Sequence, residues 1–360
     1  MYFFRREKVQ CRYQFSLRDA VDITLLQRAL TTALASAPYY TQRLVQEKRE
    51  MWLEPNTEPC LVYPGSTMRN IPEETNGYLF CVSCEGDTIY FDWHHFLLDG
   101  HGVSPLFTSI LEQYCNLRYG TAFAVQQIVC DPPYDMEAML AEHPPVEGGS
   151  DAIQRDVVQT YEGTLRRTRV CLSKQSLVEK ALANNAKPVS ALMGLLCMAM
   201  REYLGKENIQ YSYSSDTRDV AGVPHALYNC VCSFEHTVQL QAQTRLADLV
   251  PDIDANIKRD LQPQSKRRRM TEQMGWVYKV NQQKAPLRIK QRVFQMGEYI
   301  GGTISDFWLS YLGNPLMPAT PELAQYTTDF GVWVPPEGAS VGVEAASLNG
   351  KIIPVSYTHL

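Results

Sequence analysis

His94-His95-Phe96-Leu97-Leu98-Asp99-Gly100 places two imidazoles, a carboxylate and a glycine where an apolar run meets a turn. The preceding Thr88-Ile89-Tyr90-Phe91-Asp92-Trp93 reads as a half-buried strand, and Gly102 to Tyr114 reads as a helix. The histidines therefore fall at a strand end, where a side chain can face a cavity. A histidine held neutral accepts a proton from an attacking hydroxyl or amine, because its unperturbed pKa of about 6.5 lies near working pH. His95 is the candidate base, and His94 is expected to shape the loop. A buried carboxylate needs a cation, so an aspartate–arginine pair at Asp99 would pin the loop that carries the imidazole. Gly100 is expected to let the backbone turn through a positive φ. The bland alternative is that adjacent histidines and Asp-Gly simply mark a turn.

Over these seven residues the chain resembles the condensation-type acyltransferases, whose shared signature is HHxxxDG. That superfamily includes nonribosomal peptide synthetase condensation domains, alcohol acetyltransferases, mycolipid acyltransferases, plant BAHD enzymes and, more distantly, chloramphenicol acetyltransferase. The look is closest to the alcohol acetyltransferases and the condensation domains. The resemblance implies an α/β fold of two chloramphenicol-acetyltransferase-like lobes with mixed sheets around a central tunnel. It also implies that His95 is the general base and that Asp99 pairs with an arginine.

Other segments extend the likeness. Asp22 to Pro38 looks like the family's first helix, with an aspartate cap and Ile23, Leu26, Leu30, Ala33 and Leu34 at helical spacing. Ile209-Gln210-Tyr211-Ser212-Tyr213-Ser214 alternates as a half-buried strand and leads into Ser215-Asp216-Thr217-Arg218. A strand of this kind ends in an arginine in the acyltransferases, which makes Arg218 the expected partner of Asp99. A solvated arginine in a turn is the other reading. Tyr228-Asn229-Cys230-Val231-Cys232-Ser233-Phe234 resembles the asparagine-containing strand that follows, so Asn229 is expected near the tunnel, the alternative being an ordinary strand asparagine. Ser305 to Pro315 looks like the late strand and turn that line the tunnel, which puts Ser310 on its wall. The plant family's DFGWG sequence is missing from the chain.

Composition fits a two-lobed enzyme. The 360 residues exceed one small core, and a 45% hydrophobic fraction can bury two. A net charge of -5 argues against general nucleic-acid binding. The run Lys266-Arg267-Arg268-Arg269 is the exception; it reads as a solvated loop, or as a surface for coenzyme A phosphates or a carrier protein. Met1 to Arg6 is too short in apolar residues for a secretory signal, and no stretch reaches the roughly 18 apolar residues of a membrane span, so the expected location is the cytoplasm. Ten cysteines are scattered along the chain, and Cys81-Val82-Ser83-Cys84 has no second pair at zinc-ribbon spacing. Reduced buried thiols and no metal are expected. A hydrolase using His94 and His95 as metal ligands fares poorly, because neighbouring strand residues face opposite ways.

Pro144 to Ser150 reads as a linker, which divides the chain into an N-terminal lobe, 1–150, carrying the histidine motif, and a C-terminal lobe, 151–360. In the second, Thr164 to Leu172 reads as a strand and Ser190 as the cap of a helix carrying Leu192, Leu195, Leu196 and Met200. Asn349-Gly350 joins Val341–Leu348 to Lys351–Tyr357 as a hairpin with a type I′ turn. Relatives continue from this hairpin into a closing helix, which the sequence lacks. The expected activity is acyl transfer from a coenzyme A or carrier-protein thioester to a small-molecule alcohol or amine, with no bound cofactor. The alternative is a catalytically silent condensation-like module that docks a carrier protein.

Overall fold

Asp22 begins the first helix as its spacing predicts, its carboxylate accepting the N–H groups of Thr24 and Leu25 at 2.8 and 3.1 Å. Leu26, Ala29, Leu30, Ala33 and Leu34 are buried, while Ile23 lies at the rim. The computed structural model describes residues 10–144, 165–301, 305–316, 320–334 and 339–359. The linker at 145–150 and the first six residues lie outside these ranges. No helix among the described residues is long and apolar enough to cross a membrane.

The first half runs β1 (Gln10–Leu17), α1 (Ile23–Ala35), β2 (Gln42–Gln46), β3 (Met51–Pro55), β4 (Val62–Pro64), β5 (Phe80–Glu85), β6 (Thr88–His94), α2 (Gly100–Tyr119) and α3 (Met136–Glu142). The second runs β7 (Leu165–Arg169), β8 (Leu172–Ser173), α4 (Lys174–Ala183), α5 (Pro188–Leu204), β9 (Asn208–Asp216), α6 (Arg218–Ala221), β10 (Val231–Gln239), α7 (Leu246–Asp260), α8 (Pro263–Asn281) and α9 (Leu287–Gly301). It closes with β11 (Ser305–Tyr311), α10 (Thr320–Ala324), β12 (Thr327–Trp333), β13 (Ala339–Leu348) and β14 (Lys351–His359). One sheet has the order β12-β1-β6-β5-β4 and another β10-β9-β11-β13-β14-β7, with β8 added to β14. Both are mixed: β4 runs parallel to β5, and β11 runs parallel to β9 and β13.

The two halves of the sequence are not the two halves of the fold. β12 returns to the first sheet and pairs antiparallel with β1, so that Phe330 reaches Phe15 and Tyr13 at ring-centroid distances of 4.6 and 5.2 Å. Leu227, Leu316 and Leu323 also join the first core. The reason is an open strand edge: β6 covers only one side of β1, and unpaired backbone groups are costly once buried.

Three local expectations change. Ser190 is not a helix cap; α5 starts at Pro188, whose fixed φ suits the first turn, and the buried Ser190 hydroxyl instead donates to Asp254 at 2.7 Å. β6 is buried at every position except the half-buried Tyr90, with Phe91 against Phe107 of α2 on one face and Asp92 against Arg12 of β1 on the other, rather than half-buried. Lys266 to Arg269 lies on α8, not in a loop. The Asn349-Gly350 turn is as expected, with φ of 48° and 73°.

Alternation along β11 and β13 makes a seam between the cores. Phe307, Leu309, Val341, Val343 and Ala345 enter the second core. Trp308, Ser310, Gly342, Glu344 and Ala346 therefore point the opposite way, where Ala346 joins the first core and Leu312 packs against it. Glu344 is 4% exposed. Burial pushes its carboxyl up from 4.5 to about 8, with the Ser310 hydroxyl acting in the other direction. The folded value lies above the unfolded one, so the stability held by the protonated form is complete below about pH 4.5 and is lost as pH rises through about 8. Glu344→Gln cannot ionise. Its unfolding free energy, from urea denaturation between pH 5 and 8, is expected to lack a decline of roughly 1.4 kcal/mol per pH unit that the wild type shows. Parallel curves would refute this.

Candidate active site

β6 delivers the two histidines to a turn that ends in a helix cap. The Asp99 carboxylate accepts the Gly102 N–H at 2.8 Å and so opens α2 at Gly100. His94 is buried, and its Nδ1 accepts the Phe96 N–H at 3.3 Å, tying the imidazole to the turn. The Leu97 N–H donates to the His94 carbonyl, the Trp93 indole to the Leu98 carbonyl and the Tyr39 hydroxyl to the Leu97 carbonyl, each within 3.1 Å. The loop between His95 and Asp99 is thus held by its backbone carbonyls.

Gly100 is a glycine for a different reason from the one its turn position suggests. It is not among the positive-φ residues. A Cβ there would stand 2.4 Å from Leu312 and 3.0 Å from the Tyr13 hydroxyl, which itself donates to the Gly100 carbonyl at 3.1 Å. Gly100 is where the β11 end packs on the start of α2.

Asp99 and Arg218, 119 residues apart, meet at 2.9 Å and are each almost fully buried. Asp99 accepts a third hydrogen bond from the Cys230 N–H at 2.9 Å. The guanidinium donates through Nε to the Ala226 carbonyl at 2.7 Å and through Nη2 to the Tyr228 carbonyl at 2.9 Å. Its Nη1 stands 3.2 Å from Asp216, an ion pair without hydrogen-bond alignment. Desolvation pulls the guanidinium pKa down, yet Asp99 and Asp216 outweigh it and the net shift is upward. One buried pair therefore gathers the motif loop, the 226–230 segment and the end of β9.

His95 is half-buried, and its Nδ1 lies 3.1 Å from Asn229 Nδ2. Asn229 Oδ1 in turn accepts the Val231 N–H at 3.3 Å. Asn229 lies two residues before β10 and not within a strand, and it is in contact with the imidazole itself. Ser310 sits apart from this group, on the seam beside Glu344.

Gly102 escaped the sequence reading, although the Gly-x-Gly spacing was a signal. A Cβ at Gly102 would fall 1.8 Å from the Leu227 carbonyl oxygen, so α2 and the 226–230 segment touch backbone to backbone. The buried Tyr40 hydroxyl donates to the Gly102 carbonyl at 2.6 Å from the other side. Gly102→Ala forces the two segments apart, and overpacking of this kind costs about 1–3 kcal/mol. A lowered urea midpoint with unchanged slope is the expected result; an unchanged midpoint would show that the segment yields freely.

The basic run is largely engaged within the fold. Lys266 pairs with Asp219, Arg268 with Glu272 at 2.8 Å, and Arg269 with Glu235 at 3.1 Å. Cys81 and Cys84 are buried on β5 without a disulfide, and desolvation raises the Cys81 thiol to about 12. Among the described residues no group of three or more His, Cys, Asp or Glu side chains is placed to hold a metal.

The architecture is a mixed α/β, chloramphenicol-acetyltransferase-like fold, the fold of condensation domains of known structure. Polyketide synthase associated protein 5 from Mycobacterium tuberculosis is similar with a TM-score of 0.63 and 18% identity, over 98% of this chain and 90% of that one. The first condensation domain of the CDA synthetase has a TM-score of 0.63 and 12% identity, over 98% and 85% of the two chains. The epimerization domain from the third module of tyrocidine synthetase B has a TM-score of 0.61 and 12% identity, over 99% and 87%. No family model matches the sequence, and no curated protein matches it.

Proposed function

We propose that the chain is an acyltransferase that moves an acyl group from a coenzyme A or carrier-protein thioester to an alcohol or amine in a passage between the two cores, with His95 as general base. The observation that carries this reading is the presentation of His95 by a loop clamped through Asp99 and Arg218, with Asn229 against one ring nitrogen. The likeness to condensation domains and to a polyketide synthase associated protein supports it.

Asn229 engages Nδ1, and the mechanism assigns the proton transfer to Nε2. Nε2 accepts a proton when the other nitrogen carries one. A half-turn of the Asn229 amide presents Oδ1 to an Nδ1–H, at the cost of the long Val231 contact. Nε2 then takes the proton of the acceptor as its oxygen or nitrogen attacks the thioester carbonyl. The tetrahedral intermediate collapses, the carbon–sulfur bond breaks, and the leaving thiolate takes the proton back from the imidazolium. No covalent acyl-enzyme is required.

Thiol release, followed over a panel of acyl thioesters and of alcohols and amines, tests the proposal. Carrier-protein binding without release from any pair would overturn it and point to a docking module. Asn229→Asp places a carboxylate beside Nδ1, which favours the imidazolium and raises the imidazole pKa. The acidic limb of the kcat/KM profile is expected to move up by about one pH unit. Asn229→Ala is expected to lower kcat about tenfold. A fall in activity with an unmoved limb would make Asn229 a packing residue only.

A further inference from the structure

We propose that Glu344, Trp308 and Ser310 form a polar recognition site on the seam wall that binds a hydroxyl group of a neutral, hydroxylated substrate. This inference rests on the reading of the seam as the substrate passage. Two buried polar atoms on this wall lack a partner, Glu344 Oε2 and Trp308 Nε1. Leaving such groups unpaired costs more than a made hydrogen bond returns, so each points to a group that the folded chain does not itself provide.

Register places them together. Trp308 stands opposite Gly342, and Ser310 stands opposite Glu344 on adjacent parallel strands. The Trp308 indole lies over Gly342, where a Cβ would fall 2.8 Å from the ring. Glycine at 342 thus leaves room for the indole two residues along the strands from the Ser310–Glu344 pair. Trp308 and Ser310 are themselves only half-buried, so the two covered polar atoms lie behind side chains that reach the surface of the wall. It adjoins the motif loop through Tyr13, whose hydroxyl bonds the Gly100 carbonyl and whose ionisation is opposed by both Glu344 and Asp99.

The donor and acceptor inventory selects the ligand. An ammonium group donates to Glu344 but cannot accept from the indole N–H, and a carboxylate would give up its hydration for one neutral carboxyl and one N–H. A hydroxyl does both. Glu344 is neutral at neutral pH, its carboxyl raised to about 8 by burial, which suits an uncharged partner over a cation.

The test uses the full chain and a matched pair of probes, a straight-chain alcohol and the corresponding terminal diol, with dissociation constants from ligand-observed NMR titration. The wild type is expected to bind the diol about five- to tenfold more tightly, the size of one or two neutral hydrogen bonds. Glu344→Leu and Trp308→Phe should each bring that ratio close to one. Glu344→Gln, which keeps the shape and an acceptor, should retain most of it, and serves if the leucine variant misfolds. A wild-type ratio of one, or a ratio that survives both apolar variants, overturns the inference. Thiol release measured in parallel separates the two claims: an intact diol preference without turnover removes the transferase reading alone, and turnover without a preference removes this one alone.

Discussion

His95→Ala is expected to lower kcat for thiol release by about 10²–10⁴-fold, the usual contribution of a positioned general base. The loss should fall on kcat more than on KM, since the proton moves in the transition state and the ring adds little to ground-state binding. Folding is expected to survive. The loop is held by carbonyl bonds from Trp93 and Tyr39 and by the Asp99 cap, none of which passes through the His95 ring. Near-ultraviolet circular dichroism that overlays the wild type, together with partial recovery of turnover by added imidazole, would distinguish lost chemistry from lost structure. Equal turnover by variant and wild type would remove His95 from the mechanism. His94→Ala is the informative contrast. His94 accepts the Phe96 N–H and is buried, so its replacement acts through the turn and should not respond to imidazole.

What the sequence reveals of this site divides by range. The aspartate cap of α1, the strand-turn-helix around the histidines and the Asn349-Gly350 hairpin are each decided within a few residues, and each appears in the fold where the residues place it. The Asp99–Arg218 pair spans 119 residues and became legible only through resemblance to a family pattern. Other features have no local signature. Nothing near residue 330 announces that β12 will complete the first sheet, because its alternation serves either sheet equally well. Gly100 and Gly102 are small because Leu312 and the Leu227 carbonyl arrive from the other half, a steric fact about distant chain. Ser190 had the residue type of a cap, yet Pro188 fixed the first turn earlier and Asp254 drew the hydroxyl inward. Glu344 reads as an unremarkable strand residue until the register sets it against the seam.

Arg218→Met is expected to destabilise the protein by about 3–5 kcal/mol, because it leaves the Asp99 carboxylate buried with backbone N–H partners and no cation. Asp99→Asn should cost less. Asparagine still caps a helix, and Arg218 keeps Asp216 3.2 Å from its guanidinium. The double variant then decides what the pair is for. With neither charge present, no uncompensated ion remains, and the two single costs should not add; a coupling energy of about 1–3 kcal/mol in a urea double-mutant cycle is expected. Additive costs would mean that each residue acts through its own backbone contacts and that the ion pair contributes little. Turnover gives the complementary reading. If the clamp exists to hold the loop that presents His95, the double variant should regain stability without regaining kcat, since a methionine at 218 cannot bond the carbonyls of Ala226 and Tyr228 and releases the segment that carries Asn229 to the imidazole. Recovery of both together would place the role of the pair in folding alone.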